Sequence, residues 1–237
     1  MIIKLNKTII RLTLLFAVIC GIAYGYVARH NSIKTLSVDV PNDAVIIIDP
    51  GHGGEDSGAV ASDGTMEKNL NLDIALRLRD IFELSGYTVY MTREEDKSLC
   101  DGAFIKREDM NNRIAPTKAY PHALFISIHL NKFAIEKYNG VQIFYSDNNS
   151  QSQVLAQSIQ AAIKTNLQPN NNRQIKLGND NSMLLRLIET PAVIVEGGFL
   201  SNNHELSLLK TEEYRSKLAY CIFLGVIQYQ QQKADVT

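Results

Sequence analysis

Cysteine is scarce in this chain and carries no pattern. Only Cys20, Cys100 and Cys221 occur in 237 residues, and no two stand in a C-x-x-C spacing. That excludes a cysteine-rich zinc site and a disulfide framework. A single Cys100–Cys221 bridge stays open, with nothing in the spacing to favour it. Cationic runs are missing as well. Beyond the first dozen residues no stretch collects Lys and Arg, and the formal charge is −1. The electrostatic footprint of a nucleic-acid binder is therefore absent, and no nucleic-acid partner is expected. There is no internal repeat. The glycines follow neither G-x-G-x-x-G nor a run ending in Gly-Lys-Ser/Thr, so a phosphate cradle is poorly supported. What remains is the composition of a globular protein, 45% hydrophobic and 21% charged. The length suits one ordinary domain with a small appendage.

The appendage is N-terminal. Lys4, Lys7 and Arg11 precede an apolar run from Leu12 to Ala28, which Arg29-His30-Asn31-Ser32 closes. Such a run is near the lower end of the roughly 17–25 residues that a spanning helix needs. The basic flank predicts that this end stays in the cytoplasm while the rest is exported. Small residues at Ala23-Tyr24-Gly25 suit a cleaved signal equally well. We therefore expect residues 1–28 to be a signal peptide or a membrane anchor, so that the protein is exported and works outside the cytoplasm, anchored or secreted. Residues 29–44 read as a polar linker ending in Pro41-Asn42-Asp43, residues 45–232 as the folded domain, and 233–237 as a tail that begins to fray at Gln230-Gln231-Gln232.

Within the domain, strand and helix patterns alternate. Val45–Ile48 is a continuous apolar run, as for a strand covered on both faces. From Glu67 to Ser85 apolar residues recur at helical spacing (Leu70, Ile74, Leu78, Ile81, Phe82) until Gly86 stops them. Tyr87–Met91 reads as a strand, Ile105–Lys118 as a helix, Ala123–Ile128 as a buried strand and Val141–Tyr145 as a strand by alternation. Gln151–Leu167 is helical, Ala192–Val195 a short apolar strand, and Tyr214–Gln230 a closing helix with Leu218, Ile222, Gly225 and Tyr229 as its stripe. Asn-rich patches at 147–150, 170–172 and 178–181 read as loops. This order implies an α/β fold: a three-layer domain with a central, largely parallel mixed sheet flanked by helices.

Three of the apolar strands run into residues that bind metal or move protons: the first into His52, Ala123–Ile128 into His129, and Ala192–Val195 into Glu196. In open α/β sheets ligands sit beyond the carboxyl ends of the strands, so parallel neighbours would bring these three together. Glu67 opens the first helix, where the helix dipole favours a carboxylate, and can fold back beside His52. Two histidines and one carboxylate make a catalytic zinc set with one position open for water. A second carboxylate, Glu196, would then take the proton from that water. Each residue alone has a plainer reading, as a hydrogen-bonded strand-end histidine, a first-turn helix acid or a backbone-satisfied carboxylate. Their joint placement favours the site. His30 reads as linker, His122 as the start of a strand, and His204 as part of a polar turn. Arg93 reads either as an orienting partner for a site carboxylate or as a surface cation.

Four stretches, Asp49-Pro50-Gly51-His52-Gly53-Gly54, Glu67-Lys68, Ser127-Ile128-His129-Leu130-Asn131 and Glu196-Gly197-Gly198-Phe199-Leu200-Ser201-Asn202, together resemble the motifs of the zinc-dependent N-acetylmuramoyl-L-alanine amidases. The resemblance covers about Val45 to Gln230. It implies hydrolysis of the amide between the lactyl group of N-acetylmuramic acid and L-alanine in peptidoglycan. His52, Glu67 and His129 match the family's zinc ligands and Glu196 its catalytic glutamate. Leu130, the Lys106-Arg107-Glu108-Asp109 segment, and the apolar N-terminus on a lone domain look like the CwlD-type, sporulation- and germination-specific subgroup. That subgroup implies removal of stem peptides during cortex synthesis, the step that leads toward muramic-δ-lactam. No wall-binding repeats are attached, and no long insertion separates His129 from Glu196, so any control of activity would come from elsewhere, such as a partner or activator protein. The competing readings are a vegetative amidase for cell separation and a non-catalytic, membrane-tethered wall-binding scaffold.

Overall fold

An apolar run such as Val45–Ile48 is stable only if both of its faces are covered, and the surrounding chain supplies that cover. The computed structural model describes Phe16, Ala17, Cys20, Gly21, residues 44–178 and residues 182–234. The chain divides into two units, Met1–Asp39 and Val40–Thr237, and the sheet with its helices belongs to the second. Apart from those four residues, the expected signal or anchor segment lies outside the described residues, as does His30. Among the described residues no helix is long and apolar enough to cross a membrane.

The elements follow in the order β1 (Val45–Pro50), α1 (Glu67–Leu84), β2 (Thr88–Met91), α2 (Lys106–Ala119), β3 (Leu124–Asn131), β4 (Gln142–Tyr145), α3 (Gln151–Asn166), β5 (Lys176–Leu177), α4 (Met183–Leu187), β6 (Ala192–Phe199), α5 (Asn203–Leu209) and α6 (Glu212–Ala234). The sheet order is β2-β1-β3-β6-β4-β5. β2, β1, β3 and β6 run parallel, and β4 pairs antiparallel with β6. The expected three-layer, largely parallel mixed sheet is what forms.

Alternation along the strands sends side chains to two cores. Ile47, Phe125, Ala192 and Ile194 pack with Ile114 of α2 and with Leu184 and Leu185 of α4. Ile46, Ile48, Ile126 and Ile128 point the other way and are fully buried, on the face that α1, α3 and α6 cover. The stripe expected on α6 is buried, and Gly225 within it has a steric reason. A Cβ there would stand 2.4 Å from Ile159 Cα, so α6 and α3 approach backbone to backbone at this point.

Several boundaries differ from expectation. β3 and β6 do not end at Ile128 and Val195 but continue to Asn131 and Phe199, because the ladder between them persists through His129 and Glu196. The glutamine run at 230–232 does not fray. α6 continues to Ala234, since Gln is a good helix former and Gln230 is tied to the Tyr87 hydroxyl. His204 lies on α5 rather than in a turn, and His122 in the turn before β3. β5 and α4 went unread from the sequence, being only two and five residues long. Cys100 and Cys221 are free thiols, so the bridge left open does not form.

Candidate metal centre

The site begins where β1 leaves the sheet. Pro50 closes the strand and Gly51 donates its N–H to Ile128 O at 2.9 Å, which stitches the loop to β3. The next residue already takes the left-handed turn: His52 has φ 62°, ahead of Gly53 and Gly54, whose φ are also positive. For a residue with a Cβ that left-handed conformation costs about 1–2 kcal/mol. Surrounding bonds hold it there. Arg113 of α2, buried to 2% exposure, donates from Nη2 to His52 O at 2.7 Å and from Nη1 to Pro50 O at 2.8 Å. Its remaining bonds go to Asp49 Oδ1 at 2.8 Å and Asp109 Oδ2 at 2.6 Å. Asp49 in turn accepts from Thr92 and Ser127 hydroxyls, both at 2.7 Å. Burial disfavours charge on Asp49, but Arg113, the Thr92 and Ser127 hydroxyls and His129 together outweigh it and keep the carboxyl below the usual range.

Arg93 matches neither role expected of it. It is buried to 1% exposure, so it is no surface cation, and it meets carbonyls rather than a carboxylate. It donates to Pro50 O, Gly51 O, Lys68 O and Glu95 O at 2.9–3.0 Å. Two buried guanidinium groups thus grip the loop that carries His52.

Glu67 arrives at the N-terminus of α1 and folds back as expected. Its Oε1 lies 3.3 Å from His52 Nε2 and 3.0 Å from His129 Nδ1. The same oxygen accepts from Leu130 N at 3.0 Å and from Asn71 Nδ2 at 3.2 Å, while Oε2 accepts from Ala59 N at 2.8 Å. His52 uses its other nitrogen, Nδ1, on Asp56 Oδ2 at 2.8 Å. An Nδ1–H donated to Asp56 would free the Nε2 lone pair for a metal ion, the arrangement usual for a metal-bound histidine. Two glycines make room. A Cβ on Gly51 would stand 2.2 Å from His129 Nε2, and one on Gly58, where φ is +63°, 2.6 Å from His52 Cδ2.

His52, Glu67 and His129 therefore form a group that can hold a metal ion, with donor atoms all within 4.8 Å of one another. Two of the three donor-to-donor edges, 3.0 and 3.3 Å, are near the roughly 3.3–3.4 Å that bonds of about 2.0–2.1 Å imply for a tetrahedral ion. The three side chains polarise one another. Burial disfavours charge on His52, but Glu67 and Asp56 outweigh it and raise that imidazole to about 8. Burial likewise disfavours charge on Glu67, and the two histidines outweigh it and hold the carboxyl far down.

Glu196 completes the arrangement. It sits on β6 in register with His129 on β3, and both line a cavity of about 280 Å³ with His52, Asp56, Lys106 and Met183. The residue as a whole is half-buried, yet its Oε2 is enclosed and has no hydrogen-bond partner among the described residues. Burial raises this carboxyl to about 7, against a smaller opposing pull from His129. Glu196 lines the cavity beside a three-donor set, so its carboxylate is placed to accept a proton from a water there.

With this geometry, comparison with known proteins becomes informative. The family model for N-acetylmuramoyl-L-alanine amidase matches residues 46–228. The chain belongs to this family. The amidase is 35% identical, over 88% of each chain, to the germination-specific N-acetylmuramoyl-L-alanine amidase of Bacillus subtilis. It is 33% identical over 78% of its length to the amidase LytC of the same organism, of which it spans 35%. Among solved structures, the CwlD amidase of Clostridioides difficile in complex with the GerS lipoprotein superposes with a TM-score of 0.73. That match has 38% identity and covers 80% of the amidase and 99% of CwlD.

All four residues singled out in the sequence come together in space. The supporting residues did not announce themselves. Asp56 stands four residues after His52 and Asn71 four after Glu67, a spacing that on α1 shares one face and could have been noticed. Arg93 stands out only by its place after β2, which does not say what it holds, and Arg113 carries no signal, since nothing local distinguishes it from the exposed Arg107 on α2. Leu130 supplies its N–H to Glu67, while its side chain packs with Leu70, Leu200 and Leu206.

Proposed function

We propose that the amidase is a zinc enzyme in which His52 Nε2, Glu67 Oε1 and His129 Nδ1 hold the ion and Glu196 is the general base. The observation that carries this reading is the three-donor set one strand from a buried, unpartnered carboxylate oxygen. Zinc bound there supplies a Lewis acid for the scissile carbonyl and lowers the pKa of a water. The chain's own groups do the rest. Asp56 fixes the His52 tautomer, and Glu196 accepts the water's proton and returns it to the nitrogen of the departing L-alanine. The 280 Å³ cavity receives the lactyl end of the substrate. The test is release of stem peptides from purified peptidoglycan, abolished by a chelator and restored by zinc. Full activity in Glu196→Ala would remove the base from this scheme.

We further propose that the amidase acts outside the cytoplasm, on spore cortex, producing the peptide-free muramic acid from which δ-lactam is made. The germination-specific relative and the CwlD structure support this reading. An N-terminal anchor or signal suits it, because the substrate lies beyond the membrane. CwlD was solved with a lipoprotein, which supports a protein partner for this chain too. The rival reading, a vegetative amidase, has LytC in its favour. Muropeptide analysis of spores lacking the protein separates the two: cortex without δ-lactam supports the first, and unchanged cortex with unseparated cells supports the second.

A further inference from the structure

Helix α1 buries two polar side chains one turn apart, Glu67 and Asn71, and the reaction scheme uses only the first. Asn71 is 0% exposed. Residues four apart on a helix lie one above the other on the same face. The Asn71 amide stands between two acceptors and donates from Nδ2 to both, to Glu67 Oε1 at 3.2 Å and to Gly51 O at 3.3 Å. A carboxylate and a carbonyl can only accept, so the amide nitrogen has to face them. The amide oxygen is thereby turned away. Asn71 Oδ1 is buried and has no hydrogen-bond partner among the described residues.

As a contribution to the fold this arrangement is redundant. Gly51 O also accepts from Arg93 Nη2 at 3.0 Å, and Glu67 Oε1 from Leu130 N at 3.0 Å. Deleting the Asn71 amide would leave neither acceptor without a donor, and it would remove an oxygen whose burial without a partner is destabilising. A leucine has the same branching, would fill nearly the same space, and is the better helix former. What the amide adds is control of the carboxylate. Three N–H groups reach Glu67: Ala59 N on Oε2, and Leu130 N and Asn71 Nδ2 on Oε1. Leu130 N approaches from β3 and Asn71 from α1, both onto the oxygen that faces His52 Nε2 and His129 Nδ1. Asn71 is the only side chain among the three donors. The same amide ties Glu67 to the loop that carries His52.

We propose that Asn71 is a positioning residue for the metal centre: it turns Glu67 Oε1 toward the two histidines and locks that carboxylate to the Gly51 carbonyl, and its unpaired oxygen follows from that orientation. The proposal rests on the reading of Glu67 as a metal ligand, and its test keeps the two apart. Removing a group that orients a metal ligand lowers affinity about 10–100-fold. Asn71→Leu in the full chain should lower zinc affinity by about that factor, read by competition with a chromophoric chelator. Its metal-free form should melt within about 4 °C of the wild type. The visible spectrum of the cobalt-loaded protein, which reports the ligand set and geometry around the ion, should change. Asn71→Ala removes the amide without adding methyl groups, and it should show the same loss of affinity and the same spectral change. A purely structural asparagine gives the reverse pattern. Metal-free melting would then fall by more than about 10 °C in both variants, with affinity and cobalt spectrum unmoved, and that result overturns the proposal. Zinc affinity within about threefold of wild type in both variants overturns it too, being well short of the loss expected for an orienting partner. A wild-type chain that binds neither zinc nor cobalt refutes the metal centre itself, whereas a metal-binding wild type with indifferent variants refutes the role of Asn71 alone.

Discussion

Replacing Gly51 by alanine should disable the metal centre while leaving the fold in place. Gly51 does not need a left-handed backbone, so a methyl group introduces no backbone strain. What it meets is the His129 ring, with Cε1 and Nε2 both at 2.2 Å. Ordinary carbon contacts begin at about 3.5 Å, so the imidazole must retreat by about 1.3 Å. Zinc distances tolerate about 0.2 Å, and His129 Nδ1 starts only 3.0 Å from Glu67 Oε1. One of three ligands is therefore lost. Losing even a supporting group around a metal ligand costs about 10–100-fold in affinity, so displacing a ligand should cost at least about a hundredfold, or about 2.7 kcal/mol. Hydrolysis should fall by about the same factor or more, since a 1 Å misplacement alone costs about a hundredfold. Stability of the metal-free chain should scarcely move. A glycine-to-alanine change in a compatible backbone gains about 0.4–1 kcal/mol, while an off-rotamer ring costs about 0.5–1.5 kcal/mol. The loop's main-chain bonds, from Gly51 N to Ile128 O and from Arg93 to Gly51 O, survive the change. Zinc titration by competition with a chromophoric chelator, together with thermal melts in excess chelator, reads both quantities. Zinc affinity within threefold of wild type would refute the reasoning, and so would a melting point lowered by about 10 °C or more.

Zinc affinity should rise with pH up to about 8 and then level. His52 sits at about 8 without metal and must release its proton to bind, which competition titrations between pH 6 and 9 would show as about one proton displaced per ion. The metal-free protein should melt lower at pH 8.5 than at pH 6. The raised values of His52 and Glu196, about 8 and about 7, contribute stability at low pH that is lost as pH rises through them; a zinc-loaded sample should show a smaller difference. Glu196→Gln should keep zinc and lose about 10²–10⁴-fold in turnover, measured as peptide release alongside metal content. Arg113→Met should lower stability by about 3–5 kcal/mol, because Asp49 and Asp109 stay buried without their partner. A melting point less than a few degrees below wild type would show that the buried pair is dispensable.

The parts of this molecule that could be read in one dimension are those governed by local rules. Val45–Ile48 announces a strand covered on both faces because no other element buries a run of β-branched residues so economically. Leu70, Ile74, Leu78 and Phe82 announce a helix by period, and the four candidate site residues stand out only by joint placement, three at strand ends and Glu67 at a helix start. Other features follow from distances that no spacing encodes. His129 and Glu196 were expected just past their strands and lie within them, because a ladder once formed between β3 and β6 continues as long as both backbones can pair. Arg93 and Arg113 look like any helix or strand-end cation, and only the packed sheet, by removing water, turns them into clamps on the carbonyls of residues 50–52. Period, composition and strand-end chemistry specified the α/β class and pointed to four candidate side chains. The left-handed turn at His52, the Asp56 contact with His52 Nδ1 and the unsatisfied oxygen of Glu196 arose only in three dimensions, because each depends on burial and on partners far apart in the chain.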